Sequence, residues 1–268
     1  MRPTRFAELN DVLEEFVAGV RDVLGANFVG AYLQGSFAVG DADEHSDVDF
    51  LVVTEREVDE REQRELQALQ GRLFELPTTW AQHLEGSYVP RDQLRRADHE
   101  RRPWFYFDNG ATEPAWDKHD NTAVVRWSLR EHGVVLAGPE PKKLVDPISR
   151  ATLRGDALGA LEEWEEWLPT LDAWSARLQP LVVLSYCRIL HTIEFGLVGS
   201  KAQAGAWARF TVDAEWRPLV QRALEDRADP WKKVGLPADP AAVRETLAFT
   251  AYAGALARRS AGTASAAR

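Results

Sequence analysis

The sequence predicts an α+β protein, with an N-terminal domain built on a mixed β-sheet and a C-terminal domain that is an all-helical bundle. Before residue 140, short runs rich in β-branched and aromatic residues alternate with stretches of helical period. After the Gly-Pro-Glu-Pro run at 138–141, almost every segment has a helical period. We therefore place the first domain at residues 1–140 and the second at 141–259.

The elements of the first domain follow from the spacing of its apolar residues. Apolar positions at helical spacing over 6–24 predict an amphipathic helix, and runs at 27–34 and 48–54 predict two strands. The charged stretch 57–76 predicts a second helix, and residues 83–89 predict a third strand. Pro90 is well placed to begin the helix after it.

The second domain is expected to be helical throughout, up to a short tail. Helical periods predict helices at 151–168, 181–195, 202–210, 216–225 and 240–258. The tail at 260–268 is small and polar, so we expect it to be disordered.

The composition excludes several classes of protein. A chain of 268 residues that is 45% hydrophobic and 28% charged is typical of a soluble globular protein. No apolar stretch is long enough for a membrane span or a signal peptide, so we expect a cytoplasmic protein, and we expect it to be a monomer. The single cysteine, Cys187, excludes internal disulfides and thiolate zinc sites. A net charge of −10 disfavours nucleic acid as a partner.

Two carboxylates stand at the start of the second predicted strand. Residues two apart on a strand point to the same face, so Asp47 and Asp49 are expected to lie side by side. They repel each other unless a cation lies between them. Oxygen ligands that leave positions open for water and phosphate suit Mg²⁺ bound jointly with a nucleoside triphosphate. The alternative is that both carboxylates cap a strand in an exposed loop.

The preceding turn adds a phosphate-binding candidate. Gly35 permits a tight turn after the first strand, and Ser36 then offers a hydroxyl and a backbone N–H to phosphate oxygens. On the third strand, Glu85 would complete a three-carboxylate cluster with Asp47 and Asp49. The alternative for Glu85 is an edge-strand carboxylate in solvent.

These motifs resemble those of the nucleotidyltransferase superfamily that includes DNA polymerase β, whose signature is Gly-Ser, a short helix and an Asp-x-Asp strand. The chain is more closely similar to the bacterial aminoglycoside adenylyltransferases that modify streptomycin and spectinomycin. The similarity covers most of the chain, including Gly-Ser at 35–36, the strands at 46–52 and 84–89, and the helical segments at 181–192, 196–201 and 206–207.

The resemblance implies a function and assigns roles to residues. It implies a Mg²⁺-dependent transfer of AMP from ATP to a hydroxyl of a small molecule, with an aminoglycoside antibiotic as a candidate acceptor, bound in a cleft between the two domains. Glu85 is the implied general base and joins Asp47 and Asp49 at the metal. Gly35, Ser36 and Ser46 are implied in nucleotide binding, and Lys201 is implied to reach the triphosphate.

The chain departs from the family in one stretch. The streptomycin-modifying enzymes carry acidic residues just before the helix at 181, whereas here Arg177 is the only charge between 174 and 180. Streptomycin is therefore not the expected acceptor. Two other functions stay open: an adenylyltransferase of toxin–antitoxin type that modifies a protein hydroxyl, and a nucleotide-binding regulatory module. A ribonuclease toxin using Arg126 and His132 is disfavoured, because an arginine and a histidine at this loose spacing are expected by chance in a chain with this many arginines.

Two further segments have no assigned role. The aromatic stretch 102–110 is expected to be either a loop lining the acceptor site or a hydrophobic plug under the domain junction. Asp117, His119 and Asp120 have side chains that can bind metals, but polar residues in a turn before a helix more often cap it, and we favour that role.

Overall fold

The structure is a computed structural model that describes residues 2–97, 100–227 and 230–266. It divides into two compact units, Met1–Ile148 and Ser149–Arg268. The boundary lies beyond the predicted residue 140 because the intervening segment packs on the first unit. Leu144 and Val145 belong to the same buried cluster as Leu51, and Asp146 forms ion pairs with Arg95 and Arg96.

The first unit contains the three predicted strands and several elements that the sequence analysis did not find. Its helices and strands are, in chain order, α1 (Ala7–Leu24), β1 (Phe28–Leu33), α2 (Gly35–Ala38), β2 (Val48–Thr54), α3 (Glu60–Phe74), β3 (Leu84–Pro90), α4 (Arg91–Leu94), β4 (Trp104–Phe107), β5 (Ala115–Asp117), α5 (Ala123–His132) and β6 (Val134–Ala137). The predicted helix at 57–76 is shorter at both ends, and its later start follows from Asp59, which caps it in a capping box with Glu62.

The strands form one mixed sheet in the order β5-β4-β3-β2-β1-β6. β2 and β3 are parallel, whereas every other neighbouring pair is antiparallel. The parallel pair places the N-terminal ends of β2 and β3 next to each other, which brings Asp49 level with Glu85. This pairing confirms the prediction that the third strand lies near the second in a mixed sheet.

Each face of the sheet has its own apolar core. On one face, α1 and α3 cover alternate residues of the central strands, including Phe50, Val52 and Tyr88. On the other face, Leu51, Val53 and their neighbours pack with residues of α4, α5 and the 144–145 segment. Asp49 and Glu85 share this second face, at the end where the apolar core stops.

The second unit is helical, as predicted. Its helices are α6 (Arg150–Trp167), α7 (Leu178–Phe195), α8 (Lys201–Thr211), α9 (Arg217–Glu225) and α10 (Pro240–Ala266). Helix α7 lies at the centre and packs against the other four. Cys187 is buried on α7, as expected for a core residue.

The prediction of a disordered tail at 260–268 is corrected by the structure. Helix α10 continues to Ala266, so residues 260–266 are helical; Ala267 and Arg268 lie outside the described residues. The reason is that this stretch is rich in alanine, the residue with the highest helix propensity, and contains no proline. None of the helices in the described ranges is both long and apolar enough to cross a membrane.

Candidate active site

In the turn between β1 and α2, Gly35 lies in close contact with the carboxylate of Asp49. Gly35 has a φ of +55°, in the left-handed region that favours glycine. A Cβ at this position would lie 1.9 Å from Oδ2 of Asp49. The backbone of the adjoining residue is fixed as well, since the N–H of Gln34 donates to the carbonyl of Asp49 at 2.9 Å. The Asp49 carboxylate is therefore seated directly over the turn.

The two serines predicted at the nucleotide site differ in their surroundings. Ser36 follows Gly35 in α2, and its Oγ is buried with no hydrogen-bond partner among the described residues. A buried hydroxyl without a partner is costly unless a ligand or water satisfies it. Ser46 instead uses its hydroxyl in the loop before β2, where it lies 3.1 Å from Oδ1 of Asp43. Ser36 thus has the stronger structural indication of a ligand contact.

The predicted carboxylates come together at the edge of the buried face. Asp49 and Glu85 occupy paired positions of the parallel strands β2 and β3. Parallel strands lie about 4.8 Å apart, so side chains at paired positions are neighbours on one face. Asp47 immediately precedes β2 and lies close enough to Glu85 to raise its pKa. The structure therefore places Glu85 beside the Asp-x-Asp pair and not in open solvent.

Tyr106 on β4 holds the Glu85 carboxylate. Its hydroxyl donates to Oε1 of Glu85 at 2.6 Å. Oδ1 of Asp108 lies 3.1 Å from the same hydroxyl, so two carboxylates compete for one proton and Glu85 has the shorter contact. The stretch 102–110 is thus not the loop that was one of its two expected structures, because its centre is a sheet strand with Tyr106 opposite Ser87.

His119 lies over Tyr106 and reaches the same glutamate oxygen. The two rings stack with their centroids 5.5 Å apart, and Nε2 of His119 is 3.5 Å from Oε1 of Glu85. Desolvation lowers the pKa of His119, but the surrounding carboxylates, with Asp120 foremost, outweigh it and raise the pKa above its usual value. When it is protonated, the ring offsets part of the negative charge at this end of the sheet.

Asp120 is a buried member of the site that the sequence analysis assigned to a turn. Its Oδ1 accepts a hydrogen bond from Nε2 of Gln34 at 2.8 Å, and its Oδ2 accepts one from Oγ of Ser87 at 2.7 Å. These donors stand just after β1 and within β3, so the carboxylate bridges the two strands that flank β2. The cap of α5 is Thr122 instead, whereas Asp117 has the expected turn role by accepting from the N–H of His119.

Glu85 has the environment of a proton acceptor. Its side chain is 13% exposed. Burial raises the pKa of Glu85 above its usual value, as do the charges of Asp47 and Asp120, whereas His119 and the hydrogen bond from Tyr106 act in the opposite direction. A carboxylate with a raised pKa is a stronger base than one in water, which suits removal of a proton from a hydroxyl.

The fit to a metal ion rests on Asp47 and Asp49. Across the described residues 2–97, 100–227 and 230–266, no group of three His, Cys, Asp or Glu side chains is placed to hold a metal by itself. Mg²⁺ in nucleotide sites is typically bound by one or two carboxylates, while phosphates and water fill the remaining positions. The pair at 47 and 49, next to the buried Ser36 hydroxyl, fits that mode. The role of Glu85 as a third ligand stays a prediction.

Two other groups of candidate residues have different outcomes. Lys201 is the first residue of α8 in the second unit, as expected, and its role toward the triphosphate stays a prediction. The structure argues against a ribonuclease that uses Arg126, because this side chain is fully buried. Its guanidinium donates to backbone carbonyls of residues 93, 94 and 122 and to Oδ1 of Asn121, and it packs over the ring of Trp104. This arginine is a structural anchor.

Two family models match successive parts of the chain. Residues 17–104 match the nucleotidyltransferase domain, and residues 143–251 match the C-terminal domain of aminoglycoside adenylyltransferase. The first match contains the Gly-Ser turn, Asp47, Asp49 and Glu85. The second match contains Lys201.

Individual relatives align over most of the chain. An aminoglycoside (3'')(9) adenylyltransferase of Shigella flexneri is 26% identical over 245 residues, covering 84% of this chain and 87% of the relative. A spectinomycin 9-adenylyltransferase of Staphylococcus aureus is 25% identical over 202 residues, covering 70% and 74%. The crystal structure of spectinomycin adenyltransferase from Enterococcus faecialis, with ATP and spectinomycin, has a TM-score of 0.71 at 16% identity, covering 92% of this chain and 98% of that one. The fold is therefore shared with that enzyme.

Proposed function

Since the chain is a nucleotidyltransferase whose second domain is that of the aminoglycoside adenylyltransferases, we propose that it transfers AMP from ATP to a hydroxyl group of an antibiotic related to spectinomycin. The observation that carries this proposal is the pairing of Asp49 with Glu85 across β2 and β3, directly beside the turn formed by Gly35 and Ser36. This arrangement sets a candidate base next to candidate groups for phosphate and metal.

The reaction follows from the groups at the site. Glu85 accepts the proton of the acceptor hydroxyl, and the oxygen attacks the α-phosphorus of ATP. The bond between that phosphorus and the oxygen bridging to the β-phosphate breaks, and pyrophosphate leaves with the electron pair. A positioned general base typically accelerates such a step by about 10²–10⁴-fold, and alignment of the hydroxyl with the phosphorus adds to this.

Phosphate and metal binding are assigned to the residues around the turn. The Ser36 hydroxyl and the backbone around Gly35 receive phosphate oxygens, with Ser46 nearby in the loop before β2. Asp47 and Asp49 are the residues that would hold Mg²⁺, which supplies charge neutralisation for the phosphates when bound. Lys201 contacts the β- or γ-phosphate in this proposal, as a charged donor suited to that oxygen.

The acceptor is proposed from the relatives and from the chain's own charges. Spectinomycin is named for both the Staphylococcus aureus relative and the Enterococcus faecialis structure. Residues 174–180 carry Arg177 as their only charge. Streptomycin carries guanidinium groups, which spectinomycin lacks, and these groups need carboxylates to receive them. We therefore place spectinomycin ahead of streptomycin.

The test is pyrophosphate release by the full chain with Mg²⁺ and ATP, measured with each acceptor in turn. Spectinomycin, streptomycin and a mixture of bacterial proteins are the three arms, and a reaction without acceptor is the background. We expect release above background with spectinomycin. Pyrophosphate release with the protein mixture alone would indicate that the acceptor is a protein hydroxyl and not a small molecule. No pyrophosphate release in any arm would overturn the proposed function.

A further inference from the structure

Two aromatic side chains from outside the nucleotide motifs converge on one oxygen of Glu85. Tyr106 donates to Oε1 at 2.6 Å, and His119 lies 3.5 Å from the same atom while stacking on the tyrosine ring. Both contacts are made to Oε1 of the carboxylate. The two oxygens of one carboxylate therefore differ in their surroundings.

The position of Tyr106 in the sheet favours its hydrogen bond to Glu85. Tyr106 is buried within the sheet and lies opposite Ser87 on the antiparallel strand, so its backbone position is fixed relative to Glu85. Burial, followed by the neighbouring charge of Glu85, raises the pKa of Tyr106 well above its usual value. The hydroxyl therefore stays protonated and remains a donor.

We infer that Tyr106 is a positioning residue for the proposed adenylyl transfer, which holds Oε1 of Glu85 so that Oε2 faces the acceptor hydroxyl. The inference rests on the proposed function, since it assigns a role in the step that Glu85 performs. Proton transfer requires the base within hydrogen-bond distance of its proton. A carboxylate that rotates about its side-chain torsions spends only part of its time in that geometry, and the hydrogen bond from Tyr106 removes this freedom.

His119 restrains the same group from above. Its ring stacks on Tyr106 with an angle of 30° between the ring planes, which limits rotation of the tyrosine ring. The histidine side chain is 61% exposed, so its contact with Oε1 is open to solvent and weaker than that of the tyrosine. The tyrosine hydroxyl is thus the main restraint, and the histidine ring supports it.

The variant that tests this inference is Tyr106→Phe, which removes the hydroxyl and keeps the stacked ring. We expect kcat to fall by about 10- to 100-fold, while KM for ATP changes less than threefold, because the lost contact orients the base and does not touch the nucleotide. The matched control is Tyr32→Phe. Tyr32 is a fully buried tyrosine on the same face, and its hydroxyl donates to the carbonyl of Pro139 at 2.7 Å. Its loss is expected to leave kcat unchanged.

A second comparison separates positioning from general loss of structure. In a Glu85→Gln background the base is already absent, so adding Tyr106→Phe is expected to lower the residual rate by less than twofold. A purely structural role would give the same fold-loss in both backgrounds. Circular dichroism and thermal midpoints of all variants identify any that fail to fold, in which case Tyr106→Leu provides a smaller apolar replacement without the hydroxyl.

The outcomes distinguish this inference from the function on which it rests. Wild-type kcat in Tyr106→Phe, or equal losses in the two backgrounds, would overturn the positioning role and leave the proposed function standing. Absence of turnover by the wild-type chain would overturn the proposed function and the inference with it. A large loss in wild type with almost none in Glu85→Gln supports the inference.

Discussion

Replacing Gly35 by alanine probes the contact on which the site is built. The added Cβ would lie 1.9 Å from Oδ2 and 2.6 Å from Cγ of Asp49, whereas ordinary contact begins at 3.4 Å. The carboxylate must therefore retreat by roughly 1.5 Å, or the turn must shift by a similar distance. Misplacement of a reacting group by about 1 Å can cost about 10²-fold in rate, so we expect Gly35→Ala to lower kcat/KM by at least that factor.

The same substitution also strains the backbone, and a second glycine isolates that effect. A left-handed φ costs an L-residue about 1–2 kcal/mol of unfolding free energy. Gly40 also has a positive φ, +73°, but its Cβ would meet nothing within 4 Å. Gly40→Ala should therefore lower the unfolding free energy about as much as Gly35→Ala does, while keeping the activity of the wild type. The difference in activity between the two variants measures the displacement of Asp49 alone.

The assay pairs urea unfolding with pyrophosphate release for wild type, Gly35→Ala and Gly40→Ala. The expected pattern is comparable stability in the two variants and a large activity loss in only one. Equal activity in Gly35→Ala and Gly40→Ala would contradict this prediction, because it would mean that the carboxylate of Asp49 does not need its place over the turn.

Five further substitutions test single residues. Asp47→Asn and Asp49→Asn should each abolish transfer while the apo protein gains up to about 1 kcal/mol of unfolding free energy, since one charge of a repelling pair is lost; full turnover in either variant would remove the metal assignment. Glu85→Gln should retain ATP affinity in calorimetry but slow the chemical step by about 10²–10⁴-fold, and loss of nucleotide binding with an intact step would instead make it a metal ligand. Lys201→Ala should lower the affinity for ATP by roughly ten- to a hundred-fold and the affinity for AMP far less, because a charged hydrogen bond contributes about 1.5–3 kcal/mol. An equal loss of affinity for both nucleotides would contradict a contact between Lys201 and the β- or γ-phosphate. Arg126→Met should lower the unfolding free energy by about 3 kcal/mol or more in urea titrations, because several backbone carbonyls lose a buried donor, and wild-type stability would contradict the anchoring role.

The elements that the sequence predicted correctly are those with a strong period or a distinctive motif. The strand at 48–54 is apolar and rich in valine, and it was predicted with its observed bounds, Val48–Thr54. Four elements were missed: β4, β5, β6 and α5. The residues of β4 are buried on both faces, so the alternation that marks a half-exposed strand is absent. β6 is four residues long and directly precedes the Gly-Pro run that was interpreted as a domain boundary.

The site residues that were predicted are those marked by a local sequence pattern, whereas those that reach the site through tertiary contacts were missed. Asp47, Asp49 and Glu85 were found because their spacing along strands carries information about a shared face. Tyr106 and Asp120 were missed as site residues, since each reaches the site through strand pairing or through hydrogen bonds to residues more than twenty positions away. For Tyr106, the aromatic run at 104–107 was the signal that the sequence offered. For Asp120, nothing in the single sequence separates a buried carboxylate from a turn cap.

Mass spectrometry of the acceptor shows whether this chain transfers AMP to spectinomycin. The full chain is incubated with Mg²⁺, ATP and spectinomycin, and the same reaction is run with Glu85→Gln. We predict that spectinomycin gains one adenylyl group, that one pyrophosphate is released for each molecule modified, and that the variant forms product about 10²–10⁴-fold more slowly. Unmodified spectinomycin after ATP has been consumed, or equal product from the variant, would contradict adenylyl transfer by this carboxylate site.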